Sequence, residues 1–157
     1  MNIKQLFELQ EQDADKLPML LQTLSHSKHE GHVLKAINII QQFNHTFNPN
    51  QQLSIIDFIN TIKKEYDIAI DIKLISTLLH IIDITWMHNS TKLFNLFLTY
   101  TVSDDSIIQQ SAIQGMLLIV SLIKEDQFLE YLEIFFQILQ DKQQAQINSS
   151  LNPILCN

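Results

Sequence analysis

The sequence predicts an all-α fold, a short right-handed α-solenoid of helical hairpins, from three observations. Four stretches carry apolar residues at i, i+3, i+4 and i+7, which is one face of an α-helix. The stretches repeat with a period of 38 residues, and only two glycines and three prolines interrupt the chain. Such repeats bury their apolar faces only by stacking on one another. The matching columns are Leu17, Ile55, Leu93 and Tyr131; Leu20, Phe58, Leu96 and Ile134; Leu21, Ile59, Phe97 and Phe135; and Leu24, Ile62, Tyr100 and Ile138.

A second set of apolar columns lies between the first and keeps the same period. Its residues follow the rhythm i, i+4, i+8 and i+11, which also describes a helix face. Each unit is therefore predicted to be an αα-hairpin. These columns are His32, Ile70 and Ile108; Ala36, Leu74 and Ala112; Ile40, Leu78 and Met116; and Phe43, Ile81 and Ile119.

The length predicts one domain, residues 1–157. Residues 1–15 would hold a capping helix and residues 16–140 the repeats. Residues 141–157 are predicted to be a weak C-terminal cap or tail, because the apolar register fails there and Pro153 would interrupt a helix. The predicted helices are Ile3–Glu11; first helices near Leu17–Ser25, Gln52–Lys64, Thr91–Tyr100 and Gln127–Gln140; and second helices near Glu30–Phe43, Ile68–Thr85 and Ser106–Ile123.

The charge of the chain bears on its partners. The formal net charge is −7, and all ten basic residues are lysine. An acidic chain without arginine lacks the usual bidentate group for phosphate or guanine, so direct nucleic-acid binding is not expected. Complementary charge accelerates encounter with a basic partner instead.

The cysteine content and the longest apolar run favour a soluble cytoplasmic protein. Cys156 is the single cysteine, so neither an internal disulfide nor a multi-cysteine zinc site is expected. The N-terminal residues lack the apolar core of a signal peptide. The run Met116–Ile123 is too short to span a bilayer.

The segment from Asp104 to Met116 resembles the second helix of a HEAT repeat. That helix has an acidic start, a β-branched residue, an arginine, two small residues and an aliphatic residue. The corresponding residues here are Ile108, Gln109, Ala112, Gly115 and Met116, with glutamine in place of the arginine. The resemblance covers residues 16–140 and implies that the second helices line a concave side where partners bind.

In size, acidity and architecture the chain also resembles bacterial immunity proteins of toxin–immunity systems, notably those of contact-dependent growth inhibition. That resemblance implies a protein that neutralises a basic nuclease toxin by covering its active-site cleft.

Two histidine motifs have a chemical and a structural interpretation. His26, His29 and His32, with Glu30 among them, have a spacing compatible with zinc or nickel, but a polar loop that enters a helix explains them as well. His80 and Asp83 are three residues apart, and Ser76 precedes them, but one regular helix does not give triad geometry. We therefore predict no metal, no cofactor and no catalytic residue.

The predicted partner surface combines an acidic edge with the exposed columns of the second helices. Glu30, Glu65 and the aspartates near second-helix starts would form a negative stripe, and helix capping explains them equally. Trp86 is either a binding hot spot or a core anchor. The residues predicted to contact a partner are Asn38, Gln42, Tyr66, Asp67, Asp71, Ser76, His80, Asp83, Trp86, Asp104, Asp105 and Gln114.

The sequence thus predicts a non-enzymatic protein-binding module, an immunity protein against a nuclease toxin. The alternative is a scaffold or adaptor subunit of a larger complex. HEAT-like DNA glycosylases share the predicted fold, but their clefts are basic, so an enzyme of that kind is not expected.

Overall fold

The structure is a computed structural model that describes residues 15–43, 47–63 and 65–155. The predicted all-α class is confirmed, since every element within these ranges is helical. None of the described helices is long and apolar enough to cross a membrane. The helices are α1 (Leu17–Ser25), α2 (Glu30–Gln42), α3 (Pro49–Ile62), α4 (Ile68–Ile81), a 3-10 helix (Ile84–Asn89), α5 (Ser90–Tyr100), α6 (Ser106–Leu122) and α7 (Glu125–Leu155).

Capping side chains begin three of the α-helices. Asn48 and Gln51 form a capping box at α3, in which each side chain accepts a hydrogen bond from the other's backbone N–H at 2.9 Å. Pro49 follows as the first helical residue, where its missing N–H costs nothing. Asp67 and Asp105 cap α4 and α6. Because the Asp67 and Asp105 caps are local in sequence, the predicted starts of α4 and α6 agree with the structure.

Two predicted helix ends are wrong. The second helix of the middle unit ends at Ile81 rather than Thr85, because Ile82 is extended and Asp83 starts the 3-10 helix. The last helix continues to Leu155 instead of ending at Gln140. Its polar extension carries hydrogen bonds between side chains four residues apart, such as Gln144 to Asn148 at 3.1 Å. The predicted helix Ile3–Glu11 lies outside the described residues.

The helices pack in two rows. Contacts join α1, α3 and α5 in one row and α2, α4 and α6 in the other. Further contacts connect α1 with α2, α5 with α6, and α6 with α7. One hydrophobic core fills the space between the helices, and its largest fully buried side chains include Trp86, Tyr100, Phe58, Phe94 and Phe97.

Polar side chains also bridge neighbouring helices of a row. Gln41 Nε2 donates to Thr77 Oγ1 at 2.9 Å between α2 and α4. Lys63 Nζ, just after α3, donates to Thr99 Oγ1 of α5 at 3.0 Å. Both bonds join residues 36 positions apart in sequence. The Lys63–Thr99 bond lies close to the starts of α4 and α6, at the edge of the molecule where the candidate site lies, whereas the Gln41–Thr77 bond lies towards the C-terminal ends of α2 and α4.

Candidate functional site

Two capping aspartates mark this edge. Asp67 Oδ1 accepts from the backbone N–H of Ile70 at 3.2 Å. Asp105 Oδ1 accepts from the backbone N–H groups of Ile107 and Ile108 at 2.9 and 3.0 Å. A short carboxylate in this position satisfies helix N–H groups that have no partner in the helix. The capping interpretation of both residues is therefore confirmed, and both remain at least partly open to solvent.

A groove of about 340 Å³ lies between the start of α4 and the loop that joins α5 to α6. We call it the acidic groove, because three carboxylates line it and no described lining residue carries a positive charge. Exposed apolar side chains at its rim add surface that a protein partner would desolvate. The described lining residues are Tyr66, Ile68, Asp71, Val102, Ser103, Asp104, Asp105 and Ile108.

Asp71 lies deeper than predicted. Its side chain is only 6% exposed, so it belongs to the floor of the acidic groove and not to an exposed edge. Its negative charge also acts on the core residue Tyr100. Burial raises the pKa of the Tyr100 phenol above its ordinary value of 10.0, and the charge of Asp71 raises it further. Tyr100 therefore stays protonated at any physiological pH.

The Tyr100 hydroxyl is buried without a hydrogen-bond partner among the described residues. Tyr66 provides the opposite case, since its hydroxyl donates to the Ser27 carbonyl oxygen at 3.1 Å. Burial, and then the charges of Glu65 and Glu30, raise the pKa of Tyr66. Its bond joins the start of α4 to the loop after α1, which fixes one wall of the acidic groove.

We expect Tyr100→Phe to raise the free energy of unfolding by about 1 kcal/mol, because it removes an unsatisfied buried donor. Tyr66→Phe makes the same chemical change where the hydroxyl is bonded, and should lower stability by about 1 kcal/mol. Urea unfolding of both variants measures the difference. A destabilised Tyr100→Phe protein would mean that the hydroxyl has a partner.

Tyr100 also makes the stability of the protein depend on pH. Its folded-state pKa is higher than its unfolded-state value, so folding is favoured fully below the unfolded pKa and less as the pH rises above about 10. Tyr100→Phe should therefore lose less stability than the wild type between neutral and strongly alkaline pH.

Apart from the buried Asp71, the residues of α2, α4 and α6 that were predicted to contact a partner are exposed. The structure places Ser76 and His80 on the central helix α4, between α2 and α6. Ser76 Oγ donates to the Lys73 carbonyl oxygen at 3.2 Å, so its hydroxyl is engaged with its own helix. The exposed residues of this face are Asn38, Gln42, Ser76, His80 and Gln114.

Trp86 is not accessible to a partner, so its interpretation as a hot spot is wrong. The side chain is 1% exposed and meets Phe47 edge to face, with ring centroids 6.1 Å apart. The 3-10 helix that carries it contacts α3, α5 and α6. Trp86 is thus a core anchor at the junction of these three helices.

The predicted histidine cluster does not converge into a ligand set among the described residues. No group of three or more histidine, cysteine, aspartate or glutamate side chains is placed to hold a metal there. His29 and His32 meet edge to face at 4.9 Å. The Nδ1 atom of His32 lies 2.7 Å from Ser27 Oγ. Hydrogen bonding and ring packing explain the positions of His29 and His32.

Asp83 has a structural role in the break after α4. Its Oδ1 accepts from the backbone N–H of Thr85 at 2.8 Å and so starts the 3-10 helix. The same oxygen also accepts from the Thr85 hydroxyl. Asp83 lies outside the helix that carries His80, which removes the regular spacing that suggested a histidine–carboxylate pair.

Sequence reasoning missed Gln52, which is fully buried at the start of α3. Its Nε2 donates to the Phe47 carbonyl oxygen at 2.9 Å, and its Oε1 accepts from Asn89 Nδ2 at 3.0 Å. The same reasoning missed Ile68, Val102 and Ser103 of the acidic groove, because Ile68 lies at a helix start and Val102 and Ser103 lie in a loop, outside the apolar columns. The only available signal was their position next to the predicted helix starts.

No family model matches the chain, and neither the curated proteins nor the solved structures give a match.

Proposed function

We propose that this chain is a cytoplasmic, non-enzymatic protein-binding module that receives a basic protein at the acidic groove and the adjoining second-helix face. We further propose that the partner is a nuclease toxin and that the chain is its immunity protein. The single observation that supports the partner class is the groove lined by Asp71, Asp104 and Asp105, without a described basic residue.

The proposed architecture is a short HEAT-like solenoid with a 38-residue period. Two rows of helices, with polar bridges between residues 36 positions apart, support it. Stacked hairpins of this kind expose one continuous face formed by α2, α4 and α6. A partner that lies across this face would contact the central residues Ser76 and His80 and reach the acidic groove at its edge.

The groove suits a lysine or arginine side chain of the partner. Its volume of about 340 Å³ is enough for one long side chain, and its carboxylates would pair with the cationic head. The apolar residues Ile68 and Val102 at the rim would cover the aliphatic stem. Blocking such a cationic residue in a nuclease cleft would exclude the phosphate backbone of its substrate.

A pull-down of the tagged protein from its native cell lysate, with mass spectrometry at low and high salt, tests the proposal. A single basic nuclease fragment that loses activity on binding is the expected result. Subunits of a larger assembly would favour the adaptor instead, and retention of acidic proteins only would contradict the proposed partner class.

The association rate gives a sharper test once that fragment has been identified, because opposite charges steer the encounter. We expect the association rate to fall as ionic strength rises, because opposite charges are screened. Asp104→Asn, which removes an exposed groove carboxylate without removing a cap, should slow association about two- to fivefold at low salt. Asp141→Asn on α7 changes the net charge equally and is the control. Equal effects of the two variants would place the partner elsewhere.

A further inference from the structure

Helix α7 packs on the body with only part of its apolar surface. Tyr131 and Phe135 are buried, and Tyr131 meets Phe94 of α5 with ring centroids 4.7 Å apart. The Tyr131 hydroxyl also lies 3.2 Å from Ser90 Oγ and 2.8 Å from Thr91 Oγ1. These contacts fix the orientation of the helix against α5.

A second apolar face of α7 points away from these contacts. We call it the α7 seam, formed by Leu129, Leu132, Phe136 and Leu139. The exposed fractions of Leu129, Phe136 and Leu139 are 67%, 53% and 38%, and Leu132 is half-buried. The spacings of 3, 4 and 3 residues align them along one side of a helix, as in a coiled coil. Phe128, also exposed, extends the surface at one end.

No following helix covers the seam in the described part of the chain. Helix α1 contacts α2, and α5 contacts α6, so each of these helices has a neighbour from the next segment. Helix α7 instead runs on for 31 residues, about 46 Å, without turning back. The place that a next helix would take beside α7 is therefore left open by the described residues.

We propose that a second copy of this chain covers the α7 seam, through an antiparallel pairing of the two α7 helices. The spacing of the seam reads the same in both directions. A twofold axis that crosses the seam at the level of Ile134 along the helix would place Leu129 opposite Leu139 of the second copy, and Leu132 opposite its Phe136. A self-complementary surface of this kind is what a twofold interface requires.

The exposed area is sufficient for such a pair. The exposed parts of Phe128, Leu129, Phe136 and Leu139 amount to on the order of 400 Å² in each copy, since one whole aromatic side chain covers about 150–250 Å². With the polar flanks of two crossing helices, the pair reaches roughly the 1,000 Å² at which specific interfaces begin. The area predicts a reversible dimer of moderate affinity and not an obligate one.

Salt separates this pairing from the proposed function. Each copy carries a net charge of −7, and the exposed Glu133 lies one residue from the twofold axis. Two like-charged copies repel, so added salt should strengthen the dimer. A basic partner would instead bind more weakly in salt. The opposite salt dependences of the dimer and of the partner complex therefore distinguish the two kinds of binding.

Sedimentation equilibrium of the full chain over micromolar to millimolar concentrations tests the dimer. We expect a reversible monomer–dimer equilibrium whose dissociation constant falls as sodium chloride is added. Phe136→Asp should raise that constant at least about tenfold, because it places a charge in the centre of the seam. Val102→Asp, at a 70% exposed valine far from α7 in sequence, is the matched control and should leave it unchanged.

A gain-of-affinity variant keeps the test valid if Phe136→Asp fails to fold. Glu133→Gln removes the repulsion across the axis and should lower the dissociation constant by about two- to fivefold. A monomer at every concentration and salt would overturn the proposal. So would a dimer that is unaffected by Phe136→Asp in a protein of unchanged helicity.

Discussion

Replacing Trp86 by alanine is expected to lower the free energy of unfolding by about 3–5 kcal/mol. The side chain is 1% exposed and fills the junction between the 3-10 helix and α3, α5 and α6. Removing the indole leaves a cavity that helices held by caps and core contacts cannot fully close. The edge-to-face contact with Phe47, at 77° between ring planes, is lost as well.

Chemical denaturation monitored by circular dichroism measures this loss. Trp86→Phe should cost about half as much, since a ring remains in the site. Met87→Ala, at the neighbouring half-buried position, is the control and should cost clearly less. A loss below about 1 kcal/mol for Trp86→Ala would mean that the indole lies on the surface, as a partner-binding role would require.

The helical class and most helix starts were predictable, because periodicity and caps are local in sequence. The predicted α1 has the same bounds as the observed helix, and α6 begins at Ser106 as Asp105 indicated. The two wrong ends have physical causes of another kind. The Asp83 carboxylate accepts a hydrogen bond from the backbone N–H of Thr85, and this bond competes with one more turn of α4. In α7, the glutamine-rich sequence after Gln140 was not expected to continue the helix, although glutamine is a good helix former.

The candidate site was predictable only in its exposed columns. Ser76, His80 and Gln114 are exposed because their positions alternate with apolar columns, which periodicity reveals. The acidic groove depends on the distance between the start of α4 and the loop at Val102 and Ser103, and no local pattern encodes that distance. Asp71 illustrates the limit, since a charged residue next to an apolar column was expected outside and lies on the groove floor.

Gly115 of α6, which lies against Phe97 of α5, leads to the second large effect on stability. Gly115→Ala should destabilise the protein by about 1–2 kcal/mol, although alanine is favoured over glycine within a helix by about 1 kcal/mol. A Cβ atom at this position would lie 2.4 Å from the Cε1 and Cζ atoms of Phe97. That ring is fully buried in α5, so it has no free space into which to move.

A matched pair of glycines makes the prediction specific. A Cβ atom at Gly31 in α2 meets no atom within 4 Å, so Gly31→Ala should leave stability unchanged or raise it by up to about 1 kcal/mol. Combining Gly115→Ala with Phe97→Leu should cost less than the sum of the two single changes, because the smaller side chain relieves the clash. Strict additivity in thermal or urea unfolding would show that α5 and α6 do not approach closely at Gly115. The close approach would then not be the reason for glycine at this position.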